Sequence, residues 1–296
     1  MTGPADWPSE PAGRPIHIAL TFDDGFWAPA YATMRSVCLH THRRADLVFH
    51  LIHLGLAPAH RATLEAITAE FGARLAFHDI SASDILGARI ARFPKVTNRG
   101  LHPVVYARLF LPDIVGSAVE KLTFLDCDLF IRAPIERLHE IDLGNKVLAA
   151  ASDPYRIASQ TRREHRRRRI FDPADPYFNA GVMVVDTARW TAADIPGTLL
   201  RELDEAELAE LFYDQDILNY VMKNRWLMLD QLWNFIEPRR LHEPLDPHIA
   251  HYTGPEKPWN LWGKAAYRRH YRHTMTNPVF YAFLRERIRR RLRLAK

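Results

Sequence analysis

The chain has 296 residues, of which 47% are hydrophobic and 25% charged, so it carries enough apolar material for one large core and is neither fibrous nor compositionally disordered. No run of about 18 apolar residues predicts a transmembrane helix, the opening residues lack a signal-peptide pattern, and two cysteines, Cys38 and Cys127, argue against a disulfide framework and fit a reducing cytoplasm. The net charge of +5 is uneven: residues 162–169 contribute +5 and residues 285–296 contribute +6, which leaves about −6 elsewhere and points to a local anionic partner such as phosphate-rich lipid, nucleic acid or a phosphorylated substrate.

Residues 1–15 read as a flexible leader. IHIALTF (16–22) predicts a buried strand, and residues 28–41 predict a helix with an apolar face of Tyr31, Met34, Val37 and Cys38. A strand over 45–55, a helix over 58–71 stopped by Gly72 and a strand over 74–80 follow. Residues 103–111 predict a helix ended by Pro112, and KLTFLDCDLFI (121–131) predicts one continuous strand. Short strands are expected at 146–152, 181–186 and 226–230, separated by helical segments 187–204 and 214–224. Alternation at this spacing predicts an α/β domain with a mostly parallel sheet. Residues 276–296 predict a basic amphipathic helix with Asn277 as cap and Phe280, Leu284, Ile288 and Leu292 four apart.

The string TFDDG (21–25) resembles the first motif of NodB-type polysaccharide deacetylases, whose second Asp helps to hold a metal. That site also needs a His-x-x-x-His pair. His50 and His53 are three apart on a predicted strand and point to opposite faces, His40 and His42 sit at a helix end, and His78 stands alone, so the deacetylase reading is remote.

A different constellation carries more chemistry. Asp126 and Asp128 end an apolar strand two residues apart, where alternation puts both carboxylates on one side and makes a hard oxygen site for Mn²⁺ or Mg²⁺. Further on, His251 offers a neutral imidazole as third ligand, Gly254 permits close backbone approach to a phosphate, and Lys257 offers a point charge to a diphosphate. Asn179 and Gly181 precede an apolar run, and Asp214, Gln215 and Asp216 open a helix; taken singly, these read equally well as turn and cap residues.

In order, FDDGF (22–26), YARL (106–109), LDCD (125–128), YFNAGV (177–182), DQDILN (214–219) and HYTGPEKPW (251–259) resemble glycosyltransferase family 8 over about residues 16–271. The resemblance implies a GT-A fold, a single Rossmann-like nucleotide-sugar-binding domain over 16–271 with 272–296 as an appended basic helix, and retaining transfer of glucose or galactose from a UDP-hexose with Mn²⁺, or with Mg²⁺ in its place. It implies Asp126, Asp128 and His251 as metal ligands, Gly254 and Lys257 at the phosphates, Asp23 and Phe26 at the uracil, and Arg108, Asn179, Asp214 and Gln215 around the transferred sugar. The resemblance also implies that Gln215 falls beside the anomeric carbon, as nucleophile or as electrostatic support. Where many members read DDNY this chain reads DDGF; Gly25 removes a side-chain amide, and Phe26 keeps a stacking face without the phenol. Members that build lipopolysaccharide have a basic C-terminus resting on the inner membrane, which implies a glycan or glycolipid acceptor and a cytoplasmic, peripheral location for this chain through 276–296. The cluster 162–169 is then either a loop receiving phosphorylated core sugars or a charged insert. The competing readings are an Arg-rich nucleic-acid-binding protein, which the absence of interleaved aromatics disfavours, and a family member that binds UDP without transfer.

Overall fold

The computed structural model describes residues 13–81, 103–154, 170–172, 174–211 and 213–294; the 162–169 cluster and most of the leader lie outside them. The strands are β1 (Ile16–Phe22), β2 (Leu47–His53), β3 (Arg74–Asp79), β4 (Lys121–Leu125), β5 (Leu129–Ile131), β6 (Leu148–Ser152), β7 (Phe178–Asp186), β8 (Trp226–Met228), β9 (Phe235–Ile236) and β10 (Ile249–His251). Seven form one sheet in the order β3-β2-β1-β4-β7-β6-β8, and β5-β10-β9 form a second, small sheet. In the large sheet β7 alone among the described strands runs against its neighbours β4 and β6; the other pairings are parallel, as the alternating pattern predicts.

Apolar residues on both faces make it a three-layer structure. Ile18, Leu20 and Phe22 face one core with the helices Trp27–Leu39, Pro58–Phe71, Arg268–Met275 and Asn277–Leu294. Ala19, Ile52, Phe124 and Val185 face the other, against Leu109, Phe110, Trp190, Leu199 and Leu218. The helix Pro58–Phe71 follows its sequence signals, with proline in the first turn and Gly72 closing it at a left-handed φ of 73°.

Several expected elements are divided. The segment 103–111 is a 3-10 helix, Pro103–Phe110, and Pro112 lies in the first turn of a short α-helix, Leu111–Val115, instead of ending one. The segment 187–204 breaks at Asp194, which takes a φ of 43° and accepts the Gly197 N–H, so that helix Ile195–Glu202 starts afresh with Pro196 in its first turn. The run 121–131 is two strands in two sheets. The Asp126 N–H gives a last bond to the Gly181 carbonyl (2.8 Å), and the chain then turns at Cys127 and Asp128. The buried Thr33 hydroxyl lies 2.8 Å from the Cys127 carbonyl and 3.1 Å from that of Leu129, which pins the turn to the helix Trp27–Leu39.

The histidines of β1 to β3 form a cross-strand row. His17 Nδ1 lies 3.0 Å from His50 Nε2, and His50 Nδ1 lies 3.0 Å from His78 Nε2, so His78 is not alone; His53 points to the opposite face, as alternation requires, between Phe22 and Phe77. Burial lowers the pKa of His50 to about 4, with His78 and His17 adding to it, and burial lowers that of His139 to about 4. Between pH 6.5 and 4 the unfolded chain therefore binds protons that the folded chain refuses, and stability is lost as pH falls through this window. We expect the urea midpoint to fall from pH 7 to pH 4.5, and the fall to be shallower in a His50→Gln/His139→Gln variant, each histidine accounting for on the order of 1–2 kcal/mol. Parallel pH profiles for the two proteins would remove this assignment.

Candidate active site

Strand order reverses between β1 and β4, and a crevice beyond the carboxyl ends of those strands is the usual ligand site of an open α/β sheet. Asp23 follows β1 there, and Asp126 follows β4. The turn after β4, together with β10, brings one ligand atom each of Asp126, Asp128 and His251 within 4.8 Å of one another. His251 Nε2 is 3.3 Å from Asp128 Oδ1 and 3.6 Å from Asp126 Oδ2. The carboxylates thus meet through a turn, and not through the strand alternation that the sequence suggested.

A chain of amides fixes the imidazole. The Gly181 backbone N–H donates to Asn179 Oδ1 (3.0 Å), so the amide nitrogen of Asn179 points the other way, toward Gln215 Oε1 and Asp153 Oδ2. Asn179 Oδ1 also accepts from Asn234 Nδ2 (2.9 Å), which leaves Asn234 Oδ1 to accept from His251 Nδ1 (2.8 Å). The network therefore puts a proton on Nδ1 and turns Nε2 toward the two carboxylates, the orientation a metal ligand needs. Gly181 is part of the cradle: a Cβ there would lie 2.3 Å from His251 Cε1 and 2.6 Å from Asp126 Oδ2. Three hard or borderline donors converging in this way fit a divalent cation.

Charge around the triad is arranged in pairs. Lys257 Nζ donates to Asp128 Oδ2 (2.7 Å) and also bonds the Tyr252 carbonyl. Burial works to raise the pKa of Asp128, but His251 and Lys257 outweigh it and hold this carboxyl below its usual range. Arg108 donates through Nη2 to Asp126 Oδ1 (2.9 Å) and through Nη1 to the Ala180 carbonyl (3.2 Å). Its Nε approaches Asp214 Oδ2 to 2.8 Å as an ion pair without hydrogen-bond alignment. Burial opposes the charge on Arg108, yet Asp126 and Asp214 raise its pKa; burial also raises that of Asp214, against the pull of Arg108. With Oδ1 on Arg108, Asp126 keeps Oδ2 for the triad.

Gln215 sits on the helix Tyr213–Val221 and is held on both sides of its amide. Oε1 accepts from the Ala180 N–H (3.1 Å) and from Asn179, while Nε2 donates to Asp153 Oδ2 (2.9 Å). Asn219, one turn on, brackets β7 by accepting the Phe178 N–H and donating to its carbonyl, which fixes that helix against the strand.

At the β1 end, Asp23 Oδ1 accepts the Gly25 N–H (2.7 Å), and Phe26, 41% exposed, stands edge-on to Trp259 at 6.3 Å. The C-terminal helix closes this end. Glu286 accepts from Trp27 Nε1 (3.0 Å) and pairs with His60 (2.9 Å), whose other nitrogen is 2.7 Å from Asp24. Arg290 Nη1 lies 2.6 Å from where a Gly25 Cβ would be, so Gly25 leaves room for a guanidinium.

All the sequence-derived site residues except Asp23, Phe26 and Gly254 are linked by the contacts above. The bare face of Gly254 meets a carboxylate, since a Cβ there would lie 1.9 Å from Glu237 Oε1. Asn234, Asp153, Glu237 and Arg290 escaped the sequence reading. Asp153 carried a usable signal, an acid just beyond the carboxyl end of a strand; Asn234 carried none, because its partners are 17 and 55 residues away.

A sequence model of Glycosyl transferase family 8 matches residues 17–263. General stress protein A of Bacillus subtilis is 24% identical over 88% of this chain and 93% of its own length. The lipopolysaccharide 1,3-galactosyltransferase of Salmonella typhimurium is 24% identical over 84% of this chain and 74% of its own. The lipopolysaccharide glucosyltransferase WaaO of Escherichia coli is 25% identical over 83% and 73%. The galactosyltransferase LgtC, solved with donor and acceptor sugar analogs, superposes with a TM-score of 0.72 at 24% identity, covering 88% of this chain and 95% of LgtC. Motif order, strand order and the match over most of the chain agree: the chain belongs to glycosyltransferase family 8 and is a glycosyltransferase with the GT-A fold.

Proposed function

We propose that the protein transfers glucose or galactose, with retention of configuration, from a UDP-sugar to a glycan or glycolipid acceptor in lipopolysaccharide or another bacterial surface polysaccharide, and that it uses Mn²⁺. The carrying observation is the convergence of Asp126, Asp128 and the Nε2 of His251 beside the Asn179–Gln215 amide pair. The lipopolysaccharide glucosyl- and galactosyltransferases among its relatives support the donor and acceptor classes.

On this reading Asp126, Asp128 and His251 hold the metal, which when bound supplies Lewis-acid stabilisation of a leaving diphosphate. Lys257 adds a positive charge at the same edge, and Gly254 meets the phosphates once the Glu237 carboxylate swings away. Phe26 offers its exposed ring to uracil, with Asp23 accepting a hydrogen bond. Arg108 and Asp214 form a fixed ion pair beside the sugar, and Asn179 orients it. Gln215 Oε1 already accepts two hydrogen bonds, which draws density from the oxygen and favours a positioning and charge-stabilising role over attack. We assign the transferase domain to 16–271 and the appended segment to 272–296; that boundary falls inside the helix Arg268–Met275, and the basic helix itself is Asn277–Leu294, whose Val279, Phe280 and Phe283 join the main core.

Among the described residues no helix is long and apolar enough to cross a membrane. We assign the helix Asn277–Leu294 to peripheral contact with the cytoplasmic face of an anionic membrane, since Tyr281, Ile288 and Leu292 are exposed beside its arginines, each worth about 1 kcal/mol near such a surface. Family membership leaves the nucleic-acid reading without a fold to carry it.

The test is a panel of UDP-sugars assayed for hydrolysis with Mn²⁺, with Mg²⁺ and with EDTA, alongside thermal shift. UDP-glucose or UDP-galactose should be hydrolysed with Mn²⁺ and spared with EDTA. Stabilisation by UDP without turnover of any donor would favour the binding-only alternative, and turnover indifferent to EDTA would end the metal assignment.

A further inference from the structure

Away from the crevice lies a cavity of about 700 Å³, lined by Arg35, Arg240, Arg268, Arg269, Arg272 and His273 together with the first residues of the C-terminal helix. It is separate from the metal triad. The helix Trp27–Leu39 leaves the crevice at Trp27, and Arg35 lies about 12 Å further along its axis at 1.5 Å per residue.

The concentration of charge is unusual in how little of it is neutralised. Arg35 is paired with Glu70 through Nε (3.0 Å) and bonds the Thr274 carbonyl (3.2 Å). Among the described residues no carboxylate pairs with Arg240, Arg268, Arg269 or Arg272, although the body of the chain is acidic. Arg268 is braced by the carbonyls of Gly263 and Leu261, and Arg272 stacks on Phe280 at 3.3 Å, so both are held in place by the protein. The Nε groups of Arg268 and Arg272 are nevertheless buried without a hydrogen-bond partner. Those two atoms are closed to the cavity, so what an anion would answer is the charge: four guanidinium groups without a carboxylate partner around one cavity repel one another. That cost falls when an anion enters. The N-terminus of the helix Asn277–Leu294, with no acid in its first turn, adds its positive end to the same space.

Planar guanidinium forks match phosphate oxygens, and several unpaired charges favour a dianion over a carboxylate. The cavity is larger than one phosphate, so the group arrives on a carrier. We propose that this pocket binds a phosphomonoester carried on a lipid headgroup. The phosphate chemistry stands on the pocket alone; the lipid carrier rests on the surface attachment proposed above, because the pocket opens at the start of the helix that would lie on the membrane.

The test compares the full-length protein with an Arg240→Glu/Arg269→Glu variant and an Arg240→Gln/Arg269→Gln variant, both sites being exposed and outside the transfer machinery. Inorganic pyrophosphate is titrated by calorimetry at fixed ionic strength with EDTA, which silences the metal triad. Phosphatidylcholine vesicles carrying phosphatidic acid, or phosphatidylglycerol at matched surface charge, are used for co-sedimentation. We expect pyrophosphate to bind the unaltered protein at least about tenfold more tightly than either variant, phosphatidic acid to retain it better than phosphatidylglycerol, and Mn²⁺-dependent UDP-hexose hydrolysis to be unchanged. Equal pyrophosphate binding by all three proteins, or none by the unaltered one, overturns the pocket. Pyrophosphate binding with no preference between the vesicles overturns the lipid carrier and points to a soluble phosphate. Lost hydrolysis in the unaltered protein speaks against the transferase reading and leaves the pocket standing.

Discussion

We expect Asp128→Asn to lower the proposed Mn²⁺-dependent hydrolysis of UDP-hexose by about 10³-fold or more, with the fold intact. Asp128 holds one corner of the triad, 3.3 Å from His251, and balances Lys257 at 2.7 Å. The amide keeps the shape and the acceptor oxygen but removes the negative charge, so a divalent cation loses a hard anionic donor while Lys257 becomes a net repulsion beside it. A change of about 4 kcal/mol in transition-state stabilisation corresponds to the loss expected. Asp128→Ala removes the oxygen as well and reduces activity further. Steady-state hydrolysis with Mn²⁺ titrated to saturation, read beside far-UV circular dichroism, decides the matter. Activity within threefold of the starting protein at saturating Mn²⁺ would show that Asp128 does not serve a metal.

Gly181→Ala is expected to damage the same site without replacing any of the three triad side chains. The added methyl falls 2.3 Å from the His251 ring and 2.6 Å from the Asp126 carboxylate. Neither can swing away, because His251 is tied to Asn234 and Asp126 to Arg108. The backbone of β7 has to give, and a displacement of about 1 Å at a reacting site costs on the order of 10²-fold in rate, with a further 1–3 kcal/mol in stability from overpacking. Gly254→Ala is the comparison. Its methyl meets only the end of the Glu237 side chain, which can rotate aside, so Mn²⁺ affinity stays near its starting value there and drops in Gly181→Ala. Equal Mn²⁺ affinity in both variants would mean that β7 does not set the metal geometry.

The long parallel strands were legible because their apolar runs have the right length and are bounded by helices with clear stops, such as Gly72. The motifs were legible because each lies within a few residues on the chain. What was hidden is what forms through space. The run LTFLDCDLFI is apolar on both sides of its acids, and no periodicity marks the point where the chain leaves one sheet for another; a threonine hydroxyl on a distant helix makes that turn. Strands β9 and β10, two and three residues long, are too short for alternation to register. Asn234 becomes part of the site only through partners on β7 and β10. The departure at Gly25 was visible, but its counterpart, Arg290, stands 265 residues later in a segment that reads as a surface helix.

That segment has a double face. Val279, Phe280 and Phe283 are buried in the main core, and Glu286 is bonded to Trp27 and His60 beside the first acidic pair. Cutting the chain before residue 276 would therefore open the core and unfasten the proposed seat of the donor base together, and a shift between membrane and soluble fractions would report damage as readily as detachment. The outward side chains Tyr281, Ile288 and Leu292 can be changed without that ambiguity. The same wiring runs in reverse: on the proposed assignment of Asp23 and Phe26 to the donor base and of this helix to a membrane, whatever grips the outside of the helix also grips the wall of that seat, and the two proposed sites share a single mechanical part.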